Sequence, residues 1–153
     1  MAEIKSVNEL LSMNLNIPDY QRPYKWDIQN IDDLFLDITN AISDADRYRT
    51  EFKYRIGTII LHRTKNDTYD VVDGQQRIIS LVLLKQCLEP GFECSILQID
   101  FTNKVSQFNI HRNYAFIREW FGGGAVFLDC DPRRRRPWRS TRGNSGNARS
   151  SCM

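Results

Sequence analysis

Two short stretches of this 153-residue chain concentrate residues able to do chemistry. The first is Asp73-Gly74-Gln75-Gln76-Arg77, set between a β-branched run ending at Val72 and a leucine-rich run opening at Ile78. A strand-to-helix turn placed there exposes unpaired backbone N–H groups at the positive end of a helix dipole, which attracts anions. Gly74 can take a positive φ or let a bound group approach the backbone. Arg77, one turn in, can grip the same anion with a bidentate fork. Gln75 and Gln76 both donate and accept, which suits a ribose, a base edge or an attacking water. Asp73 can cap the helix or hold a metal–phosphate group. On pattern alone, ordinary capping is enough to explain the stretch, and phosphate binding is the sharper alternative.

The second stretch is an aromatic loop in which Tyr20, Gln21, Arg22, Tyr24 and Trp26 mix ring faces with a guanidinium. Such interleaving suits stacking on a base or nucleotide ring. The competing reading, stronger on pattern alone, is core packing of Tyr20, Tyr24 and Trp26 with Arg22 in an internal ion pair.

The elements that must position these residues are read from periodicity and capping. Ser6-Val7-Asn8-Glu9 fits a capping box ahead of Leu10 and Leu11 and predicts a short helix over 7–13. Pro18 and Pro23 bias Ile17 and Arg22 towards extended backbone, so 16–26 is a stiff loop. Asp27 is a good N-cap, and Ile28, Ile31, Leu34, Phe35, Ile38 and Ile42 form one apolar helical stripe behind it. Trp26 and Ile31 occupy the two positions of a hydrophobic staple. The opposite face, with Gln29, Asp32, Asp33, Asp37 and Asn40, reads as a solvated acidic face rather than a metal site.

Residues 54–62 read as a strand buried on both faces, 63–68 as a turn reversing at Asn66-Asp67, and 69–72 as the returning strand. A helix follows over 78–88, with Ile78, Leu81, Val82, Lys85 and Leu88 in helical register, ending at Pro90-Gly91. A strand is expected over 95–101. A last amphipathic helix is expected over 109–121, with Ile110, Tyr114, Ile117 and Phe121 on one face.

Composition bounds the class. No apolar run approaches the ~18 residues of a membrane-spanning helix, and the N-terminus lacks a basic region followed by an apolar one. A cytoplasmic location without membrane contact is therefore expected. Cys87, Cys94, Cys130 and Cys152 include no C-x-x-C pair, and only His62 and His111 could complete a metal set. Reduced thiols and no protein-held metal are expected. The net charge of +2 hides a split: residues 1–131 carry 14 Lys+Arg against 19 Asp+Glu, whereas residues 132–153 carry seven Arg and no acid.

The motifs taken together, in this order, resemble one family: I-P-x-Y-Q-R-x-Y-x-W over 17–26, the acidic helix 28–42, G-x-I-I-L over 57–61, and V-D-G-Q-Q-R with its helix over 72–84. This is the N-terminal domain of GmrSD-type, modification-dependent, type IV-like restriction endonucleases, whose fold is similar to ParB and sulfiredoxin. Asn113-Tyr114-Ala115-Phe116 looks like the start of that family's helical extension, and the resemblance spans about 6–121.

The resemblance implies an α+β fold, a small mixed sheet with flanking helices. It also implies a domain that binds and hydrolyses nucleoside triphosphate, the sensing half of a DNA restriction system for phage defence. Asp73, Gly74, Gln75, Gln76 and Arg77 then hold and hydrolyse the phosphates, with Asp73, Gln75, Gln76 and Arg77 as the catalytic set. Tyr20, Gln21 and Arg22, with Gly74, Gln76 and Arg77, form the nucleotide pocket. GTP, CTP or UTP is expected ahead of ATP, with Mg2+ neutralising the phosphates and Asp73 orienting it. Modified DNA is an expected partner through a nuclease half, and a homo-oligomer is possible.

Cleavage in the family belongs to a separate C-terminal domain with an H-N-H-like metal site. His111 is the last histidine here, so DNA cutting by this chain is not expected. The interpretable domain is expected over 1–121. Residues 122–153 are expected to form a disordered Gly/Arg/Ser-rich tail. That tail reads either as a basic arm for DNA phosphates or as out-of-frame residues after a truncation. The alternatives to an NTPase are a non-catalytic ParB-like nucleotide- or DNA-binding module and an inactive remnant.

Overall fold

A computed structural model describes residues 2–121. The expected tail over 122–153 lies outside the described residues, as do Cys130 and Cys152. Among the described residues the fold is α+β, with four α-helices and a three-stranded mixed sheet. In chain order the elements are α1 (Val7–Ser12), β1 (Leu15–Asn16), α2 (Ile28–Tyr48), β2 (Ile60–Arg63), β3 (Tyr69–Asp73), α3 (Gln75–Leu88), a 3-10 turn (Ser95–Gln98) and α4 (Lys104–Trp120).

Local chemistry sets several boundaries. The Ser6 hydroxyl accepts from the Glu9 N–H at 3.2 Å while Glu9 accepts from the Ser6 N–H at 2.7 Å, the reciprocal bonds of a capping box. Asp27 and Asn30 make the same exchange at the start of α2. Asn103 caps α4, which begins five residues earlier than the sequence stripe suggests. The hairpin between β2 and β3 reverses at Asp67, which has φ 55° and accepts from Arg63.

The sheet order is β1-β3-β2, with β3 central. β1 runs parallel to β3, pairing Leu15 with Tyr69 and Asn16 with Asp70. β2 runs antiparallel to β3, with an irregularity between Ile60 and Leu61. One sheet face turns inward at Val71, which is fully buried. α3 lies in the core, and Ile78, Ile79, Leu81, Val82 and Leu83 are all buried, as a helix covered on most sides requires. α4 contributes Ile110 and Ile117, and α2 contributes Ile31, Leu34 and Phe35.

Three expectations are corrected. The segment 95–101 is not a strand: Ile96 and Leu97, adjacent in sequence, are both buried, which alternation in a strand forbids and a 3-10 turn allows. The strand expected over 54–62 shortens to β2, an edge strand whose Ile60 is 50% exposed rather than buried on both faces. The stripe of α2 is also incomplete, since Ile28 and Ile42 stay exposed.

Candidate functional site

The sheet topology determines what meets what. β1 and β3 are parallel neighbours, so the segments that follow them leave from the same end of the sheet. β2 is antiparallel, so the segment that precedes it arrives at that same end. Three stretches distant in sequence thereby converge: the loop 17–27, the approach 57–59 and the turn 73–77.

The turn itself is built on Gly74, which has φ 93° and serves as N-cap of α3 without any side-chain cap. Asp73 is therefore not the cap: it ends β3, paired with Ile60, and its side chain is exposed. The first intrahelical bond runs from the Ile78 N–H to the Gly74 carbonyl at 3.0 Å. The N–H groups of Gln75, Gln76 and Arg77 precede it and have no intrahelical acceptor. A Cβ on Gly74 would meet the tip of the Ile59 side chain, so another residue there faces a strained φ and must also push that tip aside.

Arg77 lies back over the approach to β2. Its Nη1 donates to the Thr58 carbonyl at 2.8 Å, and the guanidinium rests on Gly57, where a Cβ would come within 2.7 Å of Nη1. Gly57 has φ 118°. The G-x-I-I-L and D-G-Q-Q-R motifs thus template each other, Gly57 against Arg77 and Ile59 against Gly74. The remaining guanidinium N–H groups bond no described residue.

The two glutamines differ. Gln76 is spent on the aromatic loop: Nε2 donates to the Pro23 carbonyl at 3.2 Å, and Oε1 accepts from the N–H groups of Lys25 at 2.7 Å and Trp26 at 3.1 Å. Gln75 is 6% exposed, and its buried Oε1 accepts no hydrogen bond.

The aromatic loop divides as well. Tyr24 is fully buried and belongs to the core, not to a stacking surface. Its hydroxyl accepts from Asn113 Nδ2 at 2.9 Å and lies 2.8 Å from Ser80 Oγ. Ser80 gives its own hydrogen to the Gln76 carbonyl, so Tyr24 is the donor to Ser80. Burial pushes the Tyr24 phenol above its ordinary pKa. Tyr20, by contrast, is 77% exposed. Arg22 is exposed and enters none of the ion pairs among the described residues, so the internal pair allowed for it is absent. Gln21 Nε2 donates to the Val72 carbonyl at 3.2 Å, which pins this loop beside the turn.

The site residues are graded in exposure: Tyr20, Arg22 and Asp73 are exposed, Gln21, Gly74, Gln76 and Arg77 half-buried, and Gln75 buried. The apolar cavity of about 290 Å³ along Leu81, Leu84 and Leu88 is lined by none of the predicted site residues. No group of three or more His, Cys, Asp or Glu among the described residues could hold a metal ion. Gly57 and Thr58 were legible only as a motif fragment. Ser106, Asn109 and Asn113 of α4, which hold the aromatic loop, were not singled out as site residues. The signal that could have found them is buried polar residues at i, i+3 and i+7 on an otherwise apolar helix face.

A parallel strand feeding a glycine turn and a helix without a side-chain cap, faced by a loop carrying Tyr20 and Arg22, defines a small α+β domain with its exposed polar groups gathered at one sheet end. Residues 7–134 match the family described as GmrSD restriction endonuclease, N-terminal domain, and the chain belongs to it. No curated protein and no solved structure matches the chain. Among the described residues, no helix is long and apolar enough to cross a membrane.

Proposed function

We propose that this domain is the nucleotide-binding regulatory part of a restriction system, holding a nucleoside triphosphate at the end of the sheet. The observation that carries this reading is the uncapped start of α3 on Gly74, with Arg77 and Arg22 on converging segments and neither committed to a carboxylate. Backbone N–H groups and a fork-shaped cation are what phosphate oxygens require. The phosphates lie over Gln75–Arg77, and the nucleoside half faces Tyr20, Gln21 and Arg22. Family membership supports the restriction context, and the ParB-like comparison belongs to this proposal too.

Asp73 fits a Mg2+ carried in with the phosphates, because it is exposed beside the turn and its carboxylate enters no ion pair among the described residues. Mg2+ commonly takes one or two protein carboxylates and completes its shell with phosphate and water. When bound, the ion neutralises phosphate charge. Arg77 would orient the phosphates and stabilise charge developing on them.

A second reading, binding without turnover, is favoured by one specific observation. Both polar atoms of Gln76 are spent on the loop backbone, and Gln75 is nearly enclosed, so neither amide stands open to position an attacking water. One experiment separates the readings: thermal shift and phosphate release with GTP, CTP, UTP and ATP plus Mg2+, for the wild type and Arg77→Ala. Stabilisation of the wild type by a nucleotide, lost in Arg77→Ala, is the expected result. Released phosphate assigns hydrolysis, and stabilisation without release assigns a binding module. A wild type stabilised by none of the four would refute the nucleotide reading.

A further inference from the structure

The loop that walls the nucleoside side has an unusual support. From Pro23 to Trp26 its backbone is satisfied almost entirely by side chains from two helices. On one side stands Gln76 of α3, holding the Pro23 carbonyl and the Lys25 and Trp26 N–H groups. On the other stands α4. Ser106 Oγ accepts from the Tyr24 N–H at 2.9 Å, Asn109 Nδ2 donates to the Tyr24 carbonyl at 2.9 Å, and Asn113 Nδ2 donates to the Trp26 carbonyl at 2.8 Å. All three α4 residues are buried, and the atom each turns toward the strap is hydrogen-bonded. They are spaced one helical turn apart along one face and address consecutive stretches of the same strap. None of them lies in the phosphate turn.

We propose that Ser106, Asn109 and Asn113 are positioning residues for nucleotide selectivity. By fixing the strap 23–26 they set where the neighbouring Tyr20, Gln21 and Arg22 stand, and so how the nucleoside half of the ligand is received. The phosphate half, built on Gly74 and Arg77, does not depend on them. This inference rests on the nucleotide-binding reading above. It makes the strap a polar bridge between Gln76 of α3 and α4, beside the direct packing of those two helices.

The test compares two probes, inorganic tripolyphosphate and the nucleotide that best stabilises the wild type, both with Mg2+. Affinities are measured by calorimetry for the wild type, Ser106→Ala and Asn109→Ala at a temperature where every protein is folded. Each α4 substitution should weaken the nucleotide by roughly tenfold, the scale of one lost hydrogen bond, and leave tripolyphosphate unchanged. A merely structural loss would weaken both probes together, and that outcome overturns the proposal. Variants that match the wild type on both probes overturn it as well, while leaving the nucleotide reading standing. A wild type that binds neither probe refutes the nucleotide reading itself, and the inference falls with it. If Asn109→Ala does not fold, Ser106→Ala, which removes a single acceptor, carries the test alone.

Discussion

At the scale of single residues, the site rests on two glycines and an arginine. Gly74→Ala must place a side chain at φ 93° and against Ile59, so we expect a loss on the order of 2–4 kcal/mol in denaturant unfolding. Gly57→Ala is a different experiment. Its Cβ displaces the Arg77 guanidinium, so phosphate affinity should fall together with stability, as tripolyphosphate titration would read directly. The cysteine thiols give a reactivity prediction. Burial pushes the Cys87 thiol up to about 11, with Arg118 and Tyr114 opposing only in part, and burial also raises Cys94. The thiolate is the nucleophile, so both should alkylate slowly in the native protein at pH 8 and quickly after unfolding. Mass spectrometry after timed iodoacetamide treatment reads the ratio.

At the scale of elements, the polar strap ties the aromatic loop to α3 and α4 through buried hydrogen bonds. Tyr24→Phe removes the hydroxyl that donates to Ser80 and accepts from Asn113, both in the interior. Losing one partner of a buried network costs about 1–3 kcal/mol, so the denaturation midpoint should drop with the slope unchanged. The same phenol predicts a pH dependence. Its folded pKa is raised, so its contribution is complete below the ordinary tyrosine value and is lost as pH rises through the folded value. Tyr24→Phe should flatten the alkaline arm of the stability profile, measured by urea titration between pH 8 and 11. The start of α1 runs the other way. The Ser6 hydroxyl and N–H hold Glu9 below the usual carboxylate range, so that contribution stands at neutral pH and disappears as pH falls through the lowered value.

Capping signals at Ser6 and Asp27 were readable in the sequence because both partners lie within four residues. The hairpin turn at Asp67 was readable for the same reason. The start of α3 was not, because Asp73 has the right chemistry for a cap and only the positive φ of Gly74 displaces that role by one residue. The shortening of β2 is equally non-local, since Gly57 leaves extended backbone under the Arg77 guanidinium 20 positions away. The convergence of 20–22 with 73–77 was implied by the family resemblance and not by periodicity. What carries it is the parallel pairing of β1 with β3, a two-residue strand too short to leave a pattern.

At the scale of the whole molecule, stability is concentrated around α3 and β3 and thins toward the edges. Residues 78–83 of α3 are enclosed, and β3 is paired on both sides, whereas β2 is an exposed edge and 49–53 are exposed throughout. Native-state hydrogen exchange should therefore be slowest at the amides of Ile79, Leu83 and Val71 and fastest over 49–53. Protection at Tyr24, Lys25 and Trp26 should rank with the core, because their N–H groups are held by Ser106 and Gln76. An exchange pattern that places these three with the exposed loops would contradict the strap as described.

The parallel pairing of Leu15 with Tyr69 also orders events during synthesis. The strand that launches the aromatic loop waits for a partner made more than 50 residues later, and the strap waits longer still, for Asn113. A ribosome-bound chain that has exposed only the first hundred residues holds the phosphate turn but lacks the α4 clamps that fix its facing wall. Completion of that wall is thus deferred until α4 has emerged, a long-range closure of the kind that slows folding relative to local helix formation. Under the proposed function, a nucleotide would then act late, locking a domain already assembled instead of nucleating one.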